Sequence, residues 1–60
     1  MTASNILEHM KQGAKLHREF ELIELTMLDG RRLSVLTDWF DALIDEHRIV
    51  AEAGGFHRLT

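Results

Sequence analysis

One stretch constrains this chain more than any other: Leu33 to Thr60, LSVLTDWFDALIDEHRIVAEAGGFHRLT, in which an amphipathic segment runs straight into a Gly-Gly step. Leu33, Leu36, Phe40 and Leu43 recur at steps of three and four, with Ile44 beside them. That spacing puts them on one face of a 3.6-residue period, and Asp38, Asp41 and Asp45 fall on the opposite face. The pattern predicts a helix from about Leu33 through the basic end of Asp45-Glu46-His47-Arg48, where His47 suits the negative end of the helix dipole. Ser34 and Thr37 compete as its N-cap. Beyond His47 the period shifts toward two. Gly54-Gly55 then interrupts two short apolar runs, Ile49–Ala53 and Phe56–Thr60, as a hairpin turn does. A two-residue turn sets Val50 opposite Leu59 and Glu52 opposite His57.

The rest of the chain is read against this end. Asn5 precedes Ile6 and Leu7 with Glu8 three residues on, which is capping-box spacing, and Gly13 follows as a left-handed stop. A short first helix, roughly Ser4 to Gln12, is the expectation. From His17 onward, Leu16, Phe20, Ile23 and Met27 form a seam at steps of four, three and four, flanked by Leu22, Leu25 and Leu28. This predicts a second helix that ends at Asp29-Gly30. A β-hairpin, Leu22–Leu28 with Arg31–Leu36 around Asp29-Gly30, is the rival. Asp-Gly favours it, but it pairs Glu24 with Val35 and Thr26 with Leu33, and the helix accounts for more apolar positions.

Sixty residues make at most one domain, and the absence of cysteine removes disulfides and cysteine-based zinc sites as staples. No apolar run approaches the roughly 20 residues of a membrane helix. Met1-Thr2-Ala3-Ser4-Asn5 lacks the basic-then-apolar order of a leader, so a cytoplasmic location is expected. The net charge of −3 works against nonspecific phosphate binding. No cofactor motif is present. The four histidines, His9, His17, His47 and His57, lack metal-ligand spacing, and the aspartates of the third helix have no organised nucleophile beside them. An enzyme is therefore not expected.

Three helices followed by a hairpin give a mainly α chain with a C-terminal β-hairpin. Ile6–Gly13, Ala42–Val50 and Gly54–Thr60 resemble, respectively, the first helix, the end of the recognition helix and the wing of the winged helix-turn-helix family. Small phage and prophage regulators of this type are of similar size. The resemblance implies double-stranded DNA as partner, base or phosphate contacts from Arg31, Arg32, Ser34, Thr37 and Asp38, and wing contacts from His57 and Arg58. Yet Asp38, Asp41 and Asp45, with Glu46 adjacent, line the presented face, and carboxylates repel phosphate. The alternative is an acidic protein-interaction module, such as a phage inhibitor imitating DNA charge. There Asp38, Trp39, Asp41, Asp45 and Glu46 face a basic partner, with Trp39 as anchor. The broad apolar surface of the second helix adds the expectation of a homodimer or a larger protein partner.

Overall fold

The computed structural model describes residues 3–60 and has the order α1 (Ala3–Lys11), β1 (Lys15–Glu19), β2 (Leu22–Thr26), β3 (Arg32–Ser34), α2 (Thr37–Asp45), β4 (Ile49–Ala51), a 3-10 turn (Ala53–Gly55) and β5 (Phe56–Leu59). All pairings are antiparallel, in the spatial order β3-β2-β1-β5-β4. Both helices pack on one side of this sheet. The protein is α+β, and the mainly α, three-helix winged architecture expected from the sequence is not what the chain adopts. The expectation of no leader rests partly on Met1 and Thr2, which lie outside the described residues. No helix among the described residues is long and apolar enough to cross a membrane.

The second helix is replaced by the β1–β2 hairpin. Its seam is a coincidence of two strands joined by a turn that shifts the parity of burial. Leu16 points into the core from β1, and Ile23 and Leu25 do so from β2, while His17 and Glu24 alternate outward. Phe20, a seam residue in the helical pattern, sits in the Phe20-Glu21 turn and is 87% exposed.

The hairpin around Asp29-Gly30, the rival expectation, is present as β2–β3, shifted in register by one residue. Leu25 faces Leu33 and Glu24 faces Ser34. The reason is loop length. The Met27 N–H bonds the Arg31 carbonyl, leaving the three-residue loop Leu28-Asp29-Gly30 with Gly30 at φ 91°. The C-terminal hairpin departs in the same way. The Glu52 N–H bonds the Phe56 carbonyl across Ala53-Gly54-Gly55, so Ile49 faces Leu59 and Ala51 faces His57. Glu52 and His57 are thereby on opposite faces, not paired.

α2 begins at Thr37 rather than Leu33, because Arg32–Ser34 belongs to the sheet. Its N-cap is Leu36, with no side-chain cap bond, so neither Ser34 nor Thr37 caps it. The helix ends at Asp45. The N–H groups of His47 and Arg48 bond the carbonyls of Ile44 and Leu43, with His47 at φ 56°. α1 ends with the same pair of bonds, from Gly13 to Met10 and from Ala14 to His9. A left-handed histidine costs roughly 1–2 kcal/mol, and glycine's extra chain entropy offsets part of that gain. His47→Gly is therefore expected to stabilise the fold by about 0.5–1 kcal/mol in urea titration. A loss of stability would show that the His47 side chain holds the corner.

The core lies between the helices and the covered sheet face. Ile6, Leu7, Met10 and Ala14 come from α1 and its exit, Phe40 and Leu43 from α2, and Leu16, Ile23, Leu25, Val35 and Ile49 from the sheet. Each large side chain buried there contributes roughly 1.5–3 kcal/mol. Among the described residues no polar or charged residue is buried.

Candidate functional site

Antiparallel sheets tolerate water on one face, and here no element among the described residues covers the side away from the helices. Strand alternation and register define what that side presents. Toward the β2–β3 turn stand Arg32, Thr26 and Lys15 in register, with Arg58 on β5 at the same end. In the middle row are Ser34, Glu24, His17 and Phe56. Toward the β1–β2 turn, Leu22 faces Glu19, and Leu36 follows β3.

Part of this face is apolar and exposed. Leu36 is 60%, Leu22 52% and Phe56 43% exposed, and Phe20 projects from the adjoining turn. Phe20 also holds φ at 55°, a region that a bulky side chain rarely occupies. The Nε of Arg18 donates to the Phe20 carbonyl at 2.9 Å, which helps fix the turn. The middle row is more ordered. His17 Nε2 donates to the Gly54 carbonyl at 2.9 Å, and its ring lies 4.6 Å from that of Phe56.

The residues expected to contact DNA do not gather on one surface. Arg32, Ser34 and Arg58 share the uncovered sheet face, although Arg58 lies 3.7 Å from the Glu52 carboxylate. Arg31 is in the β2–β3 turn, ion-paired with Asp29 at 2.8 Å. Thr37 opens α2 on the other layer. His57 points under the sheet, where its ring lies 4.8 Å from that of Phe40 and nearly perpendicular to it. The Arg31 N–H donated to Asp29, and then the Arg31 guanidinium, hold the Asp29 carboxyl below its ordinary pKa. This small contribution is present above the ordinary carboxylate pKa and is lost as pH falls through the lowered one.

The acidic set keeps its expected disposition. Asp38, Asp41 and Asp45 are exposed along α2 over the buried Phe40 and Leu43, with Glu46 at the C-cap. Among the described residues the three aspartates take part in no ion pair, while Glu46 reaches Arg48 at 3.9 Å. Trp39 is half-buried and packs against the edge of the core, leaving part of its ring at the surface beside Asp38. Among the described residues no three histidine or acidic side chains converge as a metal site.

Lys15, His17, Leu22 and Phe56 are the members of the sheet face that helical periodicity hides. Their signal is the alternation in Lys15-Leu16-His17 and in Leu22-Ile23-Glu24-Leu25-Thr26. The chain matches no family model, and no curated protein or solved structure is significantly similar to it.

Proposed function

We propose that this chain is a small, non-catalytic protein-interaction module that meets its partner through the uncovered sheet face. One observation carries this: Phe20, Leu22 and Leu36 are exposed together at one end of a sheet whose other side is covered by both helices. Contiguous exposed apolar surface of this kind marks contact sites, and a bulky residue held at positive φ is strain that such a contact justifies. The face offers fewer residues than the roughly 20–30 per side of a standard interface, which favours a transient complex over an obligate homodimer. The net charge of −3 and the unpaired aspartates of α2 favour partners carrying positive charge, by steering their approach.

The test is photo-crosslinking in cells from a benzophenone side chain placed at Leu22 or at Asp41. A discrete protein adduct from position 22, lost in the Phe20→Ser/Leu36→Ser variant, is the expected result. Adducts only from position 41 would move the contact to the acidic helix. Phe20→Gly separates strain from contact: stability should rise by about 0.5–1 kcal/mol while the adduct weakens. If stability and adduct both stay unchanged, the turn has no part in binding.

A second function is favoured by the placement of Lys15, Arg32 and Arg58 at one end of the same face. Five strands span about 19 Å, wider than the roughly 12 Å major groove, so duplex reading from this face is unsuited. A single strand lying across the face, with bases on Phe56 and His17, fits better. It predicts salt-sensitive binding of single-stranded oligonucleotides that weakens in Phe56→Ala.

A further inference from the structure

β1 and β5 are neighbours in the middle of the sheet, yet they pair at only Leu16↔His57 and His17↔Phe56. Continued register would set Ala14 against Leu59 and Lys15 against Arg58. The strands part there instead. The Ala14 N–H is taken by the His9 carbonyl at 3.0 Å, which holds the start of β1 to the end of α1, while Leu59 stays with Ile49 on β4. At the other end the seam is closed, because the backbone of Gly55 lies against the Arg18 carbonyl. The result is a cleft of about 550 Å³ in the middle of the sheet. That volume falls within the roughly 300–1,000 Å³ of small-molecule sites.

Its walls and rim differ in chemistry. Met10 and Ala14 line one side and Phe56 and Leu59 the other. His57 also lines the cleft, and its Nδ1 is buried with no hydrogen-bond partner, so the wall holds one unmet polar group. Lys15 stands on one lip and Arg58 on the other, where the Glu52 carboxylate also lines the cleft, 3.7 Å from Arg58. Arg58 is shared with Glu52, whereas Lys15 makes no ion pair among the described residues.

We propose that this cleft binds a small amphipathic carboxylate, with its apolar tail between Met10, Ala14 and Leu59 and its carboxylate at the lips beside Lys15 and Arg58. Walls that are mostly apolar, beside a lysine with no ion-pair partner among the described residues, complement that ligand. A bare anion leaves the walls wet, and a neutral alcohol forgoes the charge-assisted hydrogen bond to Lys15. The site does not depend on the partner-binding function proposed above, because it is assayed on the isolated protein.

The experiment is an amide NMR titration with sodium octanoate, run against sodium acetate and 1-octanol. Saturable shifts confined to residues 10–15 and 52–59 are expected, with octanoate binding about tenfold tighter than either control. Lys15→Glu, on an exposed side chain, should weaken octanoate about five- to tenfold with the fold unchanged. Leu59→Trp, which fills the cleft, should abolish the shifts. Equal binding of octanol and octanoate, shifts centred on Phe20 and Leu22, or an unaltered affinity in Lys15→Glu would each overturn the proposal. Should Leu59→Trp unfold the chain, Lys15→Glu decides alone.

Discussion

Gly55→Ala is expected to lower stability by about 3 kcal/mol, a large part of the roughly 3–9 kcal/mol available to a domain this size. Two effects add. Gly55 holds φ at 84°, where an L side chain costs roughly 1–2 kcal/mol. A Cβ there would also stand 2.5 Å from the Arg18 carbonyl oxygen and 3.2 Å from His17 Nε2. The carbonyl is backbone of a central strand and cannot swing away, so the β1–β5 seam must open to admit a methyl group. Gly30 provides the control. It has φ 91°, but a Cβ added there would meet nothing within 4 Å, so Gly30→Ala carries only the backbone cost of about 1 kcal/mol. Thermal midpoints should separate accordingly, by about 8–16 °C between the two variants. Equal midpoints would mean that the turn does not press on β1 and that the closed end of the seam is loose.

The same turn shows what sequence could and could not reveal. Gly54-Gly55 and Asp29-Gly30 mark two of the three hairpin turns, because positive φ selects glycine regardless of context. They do not reveal that Ala53 and Leu28 belong to the loops. One added loop residue moves the pairing by one and exchanges the faces of every opposed side chain, which is how Leu33 comes to face Leu25 and not Thr26. The β1–β2 turn carries no signal at all. Phe20-Glu21 contains none of the residues that favour turns, and a bulky residue at positive φ is outside any propensity rule. Without that break, Leu16 through Met27 reads as one helical seam. The first helix, the body of α2 with its outward aspartates, and the C-terminal hairpin are legible because each carries its own period. The sheet face is not, because it exists only once residues 15–19 and 22–26 are strands and are joined to β5. His57 reads as a wing-surface residue for the same reason: its facing depends on a register the turn residues do not determine.

Phe40→Ala is expected to remove cooperative folding or bring the protein to the edge of it, a loss of about 3–5 kcal/mol from burial and cavity alone. Phe40 is 2% exposed and sits where three elements meet. It projects from α2, its ring lies nearly perpendicular to that of His57 from β5 at 4.8 Å and 82°, and the Arg18 guanidinium of β1 lies 5.3 Å from its centroid. The aromatic contact adds about 0.5–1.5 kcal/mol, and the exposed cation about 0.5–1. These contacts tie the helix layer to both strands of the central seam, which has only two backbone pairs of its own. Phe20→Ala should instead stay within about 0.5 kcal/mol of the parent, since that ring is in water. Urea titration of the two variants therefore distinguishes the covered side of the sheet from the uncovered one. Arg18→Ala combined with Phe40→Leu, in a double-mutant cycle, isolates the cation's share, expected at about 0.5–1 kcal/mol. A cooperative transition in Phe40→Ala within a few degrees of the parent would mean that α2 does not hold the seam. The cleft between β1 and β5 would then be a place where the sheet can part altogether, and the uncovered face would not persist as one surface.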